Sequence, residues 1–230
     1  MPEKHPKIFI VVPVFNEEKI IEGVIREIQS YNYPNLIVVD DGSADKTAEK
    51  SASLENVITL RHKINRGKGA ATKTGIEAAK LLGADIIVTI DGDGQHDPKD
   101  IENLVKPILQ NQVEVSLGTR LISPKGMPWH KIIHNKVGNL ITWYLFGLWV
   151  TDSQSGFRAY SRRAMEKINT LGDRYEYESE VIREIYIHKL TFKEIPIQVR
   201  YTAYSMSKPE KQNFFNGVKT AGKMLWKIIA

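Results

Sequence analysis

Two acidic clusters define the chemistry within reach of this chain. Asp40-Asp41 follows the apolar run Leu36 to Val39, and Asp91-Gly92-Asp93 follows Ile86 to Ile90. Carboxylates this close repel and raise each other's pKa, so an apolar strand gains nothing by ending in them. A hard divalent cation resolves the conflict. Mg2+ or Mn2+ takes carboxylate oxygens and usually shares them with a substrate phosphate. Gly92 and Gly94 let the backbone bend close to such an ion, and Gln95 and His96 extend the polar group. Asp-Gly is also an ordinary turn signal, so it is the recurrence of acidic strand ends that points to a metal. His5, His62, His130, His134 and His188 show no paired spacing with carboxylates that suggests zinc.

The elements that must position these residues alternate along the first half. Ile8 to Val14 is nearly all apolar, as a strand buried on both faces should be. Asn16, Glu17 and Glu18 then open a helix with Ile20, Ile21, Val24, Ile25 and Ile28 at helical spacing. Strand-like runs recur at 36–39, 57–60, 86–90 and 113–118, separated by helical patterns from about 45, over 67–82 and over 98–110. That alternation implies an α/β domain with a mainly parallel central sheet flanked by helices. Ligands of such sheets bind beyond the carboxyl ends of the strands, where the acids lie. The dinucleotide fingerprint is absent after the first strand, and Arg66-Gly67-Lys68-Gly69 lacks the spacing of a P-loop.

Composition narrows the class further. The 230 residues carry 42% apolar and 26% charged side chains, the profile of a globular protein. With no cysteine, disulfides, thiolate metal sites and thiol nucleophiles are excluded, which suits a reducing cytosol. A net charge of +5 without a dense basic cluster does not argue for a nucleic-acid partner. No stretch reaches the ~18–20 apolar residues of a membrane span, and no signal peptide precedes the first strand.

The second half differs in character. Between Thr119 and Thr151 there is no acid, while Arg120, Lys125, Lys131 and Lys136 are basic and Trp129, Trp143 and Trp149 cluster. Strand-like alternation returns over 190–201. Residues 208–230 read as an amphipathic helix with Lys211, Lys219, Lys223 and Lys227.

An ordered set of motifs carries a resemblance. Pro13-Val14-Phe15-Asn16-Glu17, Val39-Asp40-Asp41-Gly42-Ser43, Asn65-Arg66-Gly67-Lys68-Gly69 and Asp91-Gly92-Asp93-Gly94-Gln95-His96 together resemble family 2 glycosyltransferases of the Rossmann-like GT-A fold. Gly118-Thr119-Arg120, Thr151 to Arg158 and Ser207-Lys208 make the set similar to the polyprenyl-phosphate sugar synthases, the dolichyl-phosphate mannose and glucose group. The matches run in order from about residue 8 to 208.

The resemblance implies an inverting, metal-dependent hexosyl transfer from a nucleotide sugar to the phosphate of a membrane polyprenol. Pro13, Phe15, Glu17, Asp40, Asp41 and Lys68 would bind the nucleotide sugar, with Asp91, Gly92, Asp93 and Gln95. Asp91, Asp93 and Gln95 would hold Mg2+ or Mn2+, and Asp91, Asp93 and Arg120 would be catalytic. Arg120, Lys131, Arg158, Arg200 and Lys208 would face the acceptor phosphate, an anion that needs orientation more than a general base. Asp152, Glu178 and Glu180 are further candidates for sugar hydroxyls. Residues 1–118 would form the nucleotide-sugar half of a single domain, 119–208 the acceptor half, and 209–230 a membrane-facing helix.

Some positions depart from the mannose-synthase pattern. Thr202 replaces an Arg, Lys131 stands where Arg is usual, and Asp91-Gly92-Asp93 replaces Asp-Ala-Asp. Lys is a poorer bidentate phosphate ligand than Arg. The donor therefore stays open between UDP-glucose or UDP-N-acetylglucosamine and GDP-mannose.

The expected setting is peripheral, at the cytoplasmic face of a membrane. Trp129, Trp143, Tyr144, Phe146 and Trp149, and Phe214, Phe215, Met224, Leu225 and Trp226 in the tail, would meet the headgroups beside lysines. A small membrane-anchoring subunit is a further expected partner. Two other readings are a family 2 transferase acting on a glycan hydroxyl with Glu178 or Glu180 as base, and a catalytically silent nucleotide-sugar-binding module.

Overall fold

A strand apolar on both faces must lie inside a sheet covered on both sides, and β1 (Ile8–Val14) does so, pairing in parallel with β2 (Leu36–Asp40) and β4 (Ile86–Thr89). The computed structural model describes residues 6–121, 129–174, 176–200 and 204. With β3 (Val57–Arg61), β5 (Val115–Thr119), β6 (Arg158–Ser161) and β7 (Phe192–Pro196), they form one sheet in the order β3-β2-β1-β4-β6-β5-β7. The helices are α1 (Ile21–Ser30), α2 (Thr47–Ala52), α3 (Lys68–Leu81), α4 (Asp100–Leu109), α5 (Trp129–Phe146), α6 (Arg162–Lys167) and α7 (Glu176–Ile187).

Strand periodicity divides the core in two. Ile10, Val12, Val38 and Val88 meet Ile21, Ile25 and Ile28 of α1 and Ile101 and Leu104 of α4. Phe9, Val11, Ile37, Val39 and Ile87 meet Ala71 and Ala79 of α3 and Val181 and Ile182 of α7 on the other face. This is the mainly parallel α/β sheet that the alternation implies, with one unforeseen strand. β6 runs antiparallel to both β4 and β5 and is wedged between them.

Two boundaries also differ. α1 starts at Ile21 because Asn16 takes φ 55 and the Glu17 carbonyl accepts from the Ile20 and Ile21 N–H groups. That turn holds Asn16 and Glu17 in the loop after β1. β7 covers only 192–196 of the run 190–201. Among the described residues no helix is long and apolar enough to cross a membrane. The expected tail helix lies outside the described residues.

Candidate active site

The chain reverses its direction of winding between β1 and β4, the place where an open sheet leaves a crevice at its carboxyl edge. Pro13 widens it. Val11 and its odd-numbered neighbours point their backbone groups toward β4, whose ladder with β1 ends at Val11 and Thr89. Pro13 lies one step beyond and has no N–H to leave unpaired there. Gly92 fills the crevice floor: a Cβ on it would stand 2.3 Å from Val14 Cγ1, so a larger residue would have to displace that side chain for the acidic loop to lie as closely against β1.

Asp91 is held by protein. Lys68 Nζ, at the start of α3, lies 2.7 Å from Asp91 Oδ1 and 3.0 Å from Glu178 Oε1 of α7. His96 Nε2 is 3.5 Å from Asp91 Oδ2. Burial pushes the Asp91 carboxyl up, but Lys68 and His96 outweigh it and hold it far below the usual carboxylate range. Burial likewise pulls the Lys68 ammonium down, and the two carboxylates more than reverse that. Gly156 closes the cluster from above, since a Cβ there would sit 2.6 Å from Lys68 Nζ and 2.7 Å from Asp91 Oδ1. Lys68 and Asp91 thus meet, and Glu178 is a partner that sequence spacing did not indicate.

Asp93 and Gln95 are in the opposite condition. Asp93 Oδ1 accepts from the Gln95 N–H at 3.0 Å. Its other oxygen and the Gln95 amide have no partner among the described residues, and both side chains are half-buried. Nearby, Glu178 Oε2 and His96 Nδ1 are buried polar atoms without hydrogen-bond partners. Such orphans call for a ligand the protein does not supply. The described residues contain no group of three His, Cys, Asp or Glu that closes around an ion. The donors fit a hard cation that completes its shell with phosphate oxygens and waters, as Mg2+ does. Of the three residues expected at a metal, Asp91 is engaged by Lys68 here, while Asp93 and Gln95 are open.

The loops after β1, β2 and β3 are laced together. Asn16 N–H donates to Ser43 Oγ, Glu17 N–H to Thr47 Oγ1 and Ala44 N–H to Asn16 Oδ1. Glu17 is buried and accepts from the Tyr204 hydroxyl at 3.1 Å, while Phe15 is half-buried beside it. Asp40 is fully buried against Ser43 and Arg61 Nε at 3.1 Å. Asp41 accepts from Gly67 N–H at 2.7 Å and Arg66 N–H at 3.0 Å, with His62 Nδ1 at 2.7 Å. The expectation that Asp40 and Asp41 present carboxylates to a nucleoside meets a structure in which both are occupied in shaping loops. His62, whose Nε2 reaches Thr74 Oγ1 at 2.9 Å, is a loop anchor that sequence reasoning passed over.

On the other side of β4, Asp152 accepts from Arg120 N–H, Nε and Nη2 at 3.0, 2.7 and 2.8 Å. Burial pushes the Asp152 carboxyl up, but the Arg120 guanidinium wins and holds it below its ordinary value. A depressed folded-state pKa stabilises the fold fully above the unfolded value of about 4 and loses that contribution as pH falls through the folded value. The stability gap between wild type and Asp152→Asn is therefore expected to narrow from about pH 6 to about pH 3, measured as urea midpoints. An unchanged gap would remove the Arg120–Asp152 pair as its source.

The expected acceptor cations fare differently. Arg158 is fully buried, donating to the carbonyls of Ser153, Ser155 and Glu178 at 2.7, 2.7 and 3.0 Å. Its expected place at a phosphate is corrected: β6 carries it into the interior, where it fixes the 153–156 loop and the register of α7. Arg200 pairs with Glu27 at 2.7 Å and Asp97 at 2.9 Å, and its N–H donates to the Gln95 carbonyl, so it braces the acidic loop. Glu180 Oε2 accepts from Leu171 and Gly172 N–H at 2.8 and 2.7 Å and clamps a turn. Lys131 falls on α5, but its side chain, like all of Lys208, lies outside the described residues. Phe146 is buried rather than turned to headgroups.

The sequence matches the family model described as Glycosyl transferase family 2 over residues 9–169. An uncharacterized protein of Methanocaldococcus jannaschii is 46% identical over 228 residues, 97% of this chain and 91% of that protein. A UDP-N-acetylglucosamine–dolichyl-phosphate N-acetylglucosaminyltransferase of Methanococcus voltae is 40% identical over 222 residues, 87% of this chain and 88% of that enzyme. Among solved structures, Mycobacterium tuberculosis glucosyl-3-phosphoglycerate synthase in complex with Mn2+ and UDP-glucose is similar at a TM-score of 0.69. The likeness covers 98% of this chain and 78% of that chain, and at 18% identity it is one of fold.

Proposed function

Because the chain belongs to glycosyl transferase family 2, we propose that it moves a sugar from a nucleoside-diphosphate sugar to a polyprenyl phosphate at the cytoplasmic face of a membrane. The observation that carries the reading is the open Asp93–Gln95 pair beside the Lys68–Asp91–Glu178 cluster. The Methanococcus voltae relative, named for UDP-N-acetylglucosamine and dolichyl phosphate, supports that donor and that acceptor class.

In this reading residues 1–118 bind the donor and 119–208 the acceptor. Asp93 and Gln95 would hold a divalent cation, Mg2+ or Mn2+, which offsets the charge that develops on the leaving nucleoside diphosphate. Lys68 is close enough to Asp91 to fix it and keep the crevice from repelling an anion. An acceptor phosphate oxygen attacks the anomeric carbon as the bond to the diphosphate breaks, with inversion and through oxocarbenium-like charge. That oxygen is already anionic, so no side chain has to take a proton. This agrees with the engagement of Glu180 by two backbone N–H groups.

The test is calorimetric titration of UDP and of GDP, each with and without Mn2+, followed by transfer from the matching sugar nucleotide to a polyprenyl phosphate. Expected are UDP binding that Mn2+ tightens and a product with one phosphate between sugar and lipid. Binding of neither nucleotide, or sugar found only on a glycan hydroxyl, would overturn the proposal.

A further inference from the structure

β7 carries a carboxylate on an apolar face of the sheet. Glu194 lies opposite Leu117 of β5, following the pair Phe192 and Val115 on the side that packs against α7. An acid in such a row costs stability unless it is hydrogen-bonded. Glu194 is half-buried, and its side-chain hydrogen bonds among the described residues all go to Thr151, at the head of the 151–156 loop. Oε1 accepts from the Thr151 N–H and from the Thr151 hydroxyl, each at 2.6 Å. Bonds this short are of the charge-assisted kind.

A carboxylate can only accept, so it sets the direction of the bonds behind it. Thr151 gives its hydroxyl proton to Glu194 and is left to accept from the Thr119 hydroxyl, 2.7 Å away. Thr119 Oγ1, with its own proton committed, accepts from the Leu121 N–H at 3.3 Å. A one-way chain thus runs from Leu121 through Thr119 and Thr151 to Glu194, and bonds in such a chain polarise one another. It brackets a single cation. Thr119 and Leu121 flank Arg120, and Thr151 precedes Asp152, the carboxylate that accepts from Arg120 N–H, Nε and Nη2. The loop is tied on its far side by Asn139 of α5, whose amide donates to the Thr151 carbonyl and whose Oδ1 accepts from the Ser153 N–H. Asp152 therefore fixes the guanidinium relative to the loop, and the chain to Glu194 fixes the loop relative to the sheet.

We propose that Glu194 is a positioning residue for Arg120. It acts through Thr151 and the Thr119 hydroxyl, sets the spacing between the end of β5 and the 151–156 loop, and so holds the guanidinium where the acceptor phosphate arrives. The inference rests on the proposed function for that role of Arg120. A staple serving the fold alone would alter unfolding and leave acceptor recognition as it was.

The test compares wild type, Glu194→Leu, Glu194→Gln and Thr151→Val in transfer from UDP-N-acetylglucosamine to a short, water-soluble isoprenyl phosphate with Mn2+. Leu suits the apolar row and removes the acceptor oxygen, whereas Gln keeps both oxygen and shape. Thr151→Val breaks the hydroxyl chain but leaves the Thr151 N–H bond, and it carries the test if Glu194→Leu does not fold. Glu194→Leu should raise the acceptor KM about ten- to a hundredfold, the effect of a binding group misplaced by up to about 1 Å. Thr151→Val should act in the same direction, Glu194→Gln should recover most of the loss, and UDP affinity and donor KM should match wild type in all of them. An acceptor KM that neither Glu194→Leu nor Thr151→Val raises, a donor KM that rises equally, or a Gln variant as impaired as Leu overturns the assignment. A second readout needs no transfer. Asp152→Asn should lower the urea midpoint less in the Glu194→Leu or Thr151→Val background than in wild type, because coupled residues are not additive. Strict additivity overturns the positioning role, while a wild type that transfers no sugar overturns the proposed function alone.

Discussion

Asp93→Asn is expected to lower transfer by about a thousandfold, the scale of losing one preorganised charge partner of the transition state. The substitution is chosen because it separates charge from fold. Asn keeps an oxygen where Asp93 Oδ1 accepts the Gln95 N–H, so the turn that presents residues 93–95 survives. The side chain is half-buried and the change keeps its size, which holds the expected stability change within about 0.5 kcal/mol. Only the negative charge on the open oxygen is gone. The second readout is nucleotide binding: in the wild type Mn2+ should tighten UDP, and in the variant that increment should vanish while metal-free affinity stays. Near wild-type transfer by Asp93→Asn would remove the metal assignment from this loop.

The legible parts of this protein are those where one physical demand dominates. Ile8–Val14 and Leu36–Asp40 are buried on both faces, and nothing but a central strand tolerates that density of β-branched residues. The acidic strand ends were equally visible because carboxylates there need a reason. What the pattern could not show was which acids the protein itself uses. Asp40, Asp41 and Asp91 are engaged by partners 3 to 26 positions away, whereas the second oxygen of Asp93 and the Gln95 amide have none among the described residues, and composition is the same in both cases. β6 escaped notice for a different reason. Arg158-Ala159-Tyr160-Ser161 is four residues long and opens with a buried Arg, so neither alternation nor apolar run marks it. In α5 the aromatic and basic residues were readable, but their arrangement on one face, with the amides turned inward, depends on the helix's rotation against the 151–156 loop.

Lys68→Met carries the largest expected effect on stability. The ammonium lies between Asp91 and Glu178, 2.7 and 3.0 Å from them. Removing it leaves two carboxylates facing each other, one of them almost entirely buried with an oxygen already unpartnered. Breaking a buried pair by deleting one partner costs about 3–5 kcal/mol. Lys68 and Asp91 keep 29% and 23% of their side chains exposed, which places the loss near the lower end, about 3 kcal/mol. The decisive comparison is the double variant. Glu178→Gln takes away the orphaned charge, so Lys68→Met/Glu178→Gln should be more stable than Lys68→Met alone by about 1–2 kcal/mol, a coupling typical of residues in one network. Mn2+ should also raise the unfolding midpoint of Lys68→Met more than that of wild type, because in the variant Asp91 has lost its ammonium partner. A loss below about 1 kcal/mol, or a double variant weaker than the single one, would mean that Lys68 is not the counter-ion of this cluster. Transfer should stay low in the double variant even as stability returns. Restoring the scaffold's charge balance does not restore the cation that keeps the crevice open to a diphosphate.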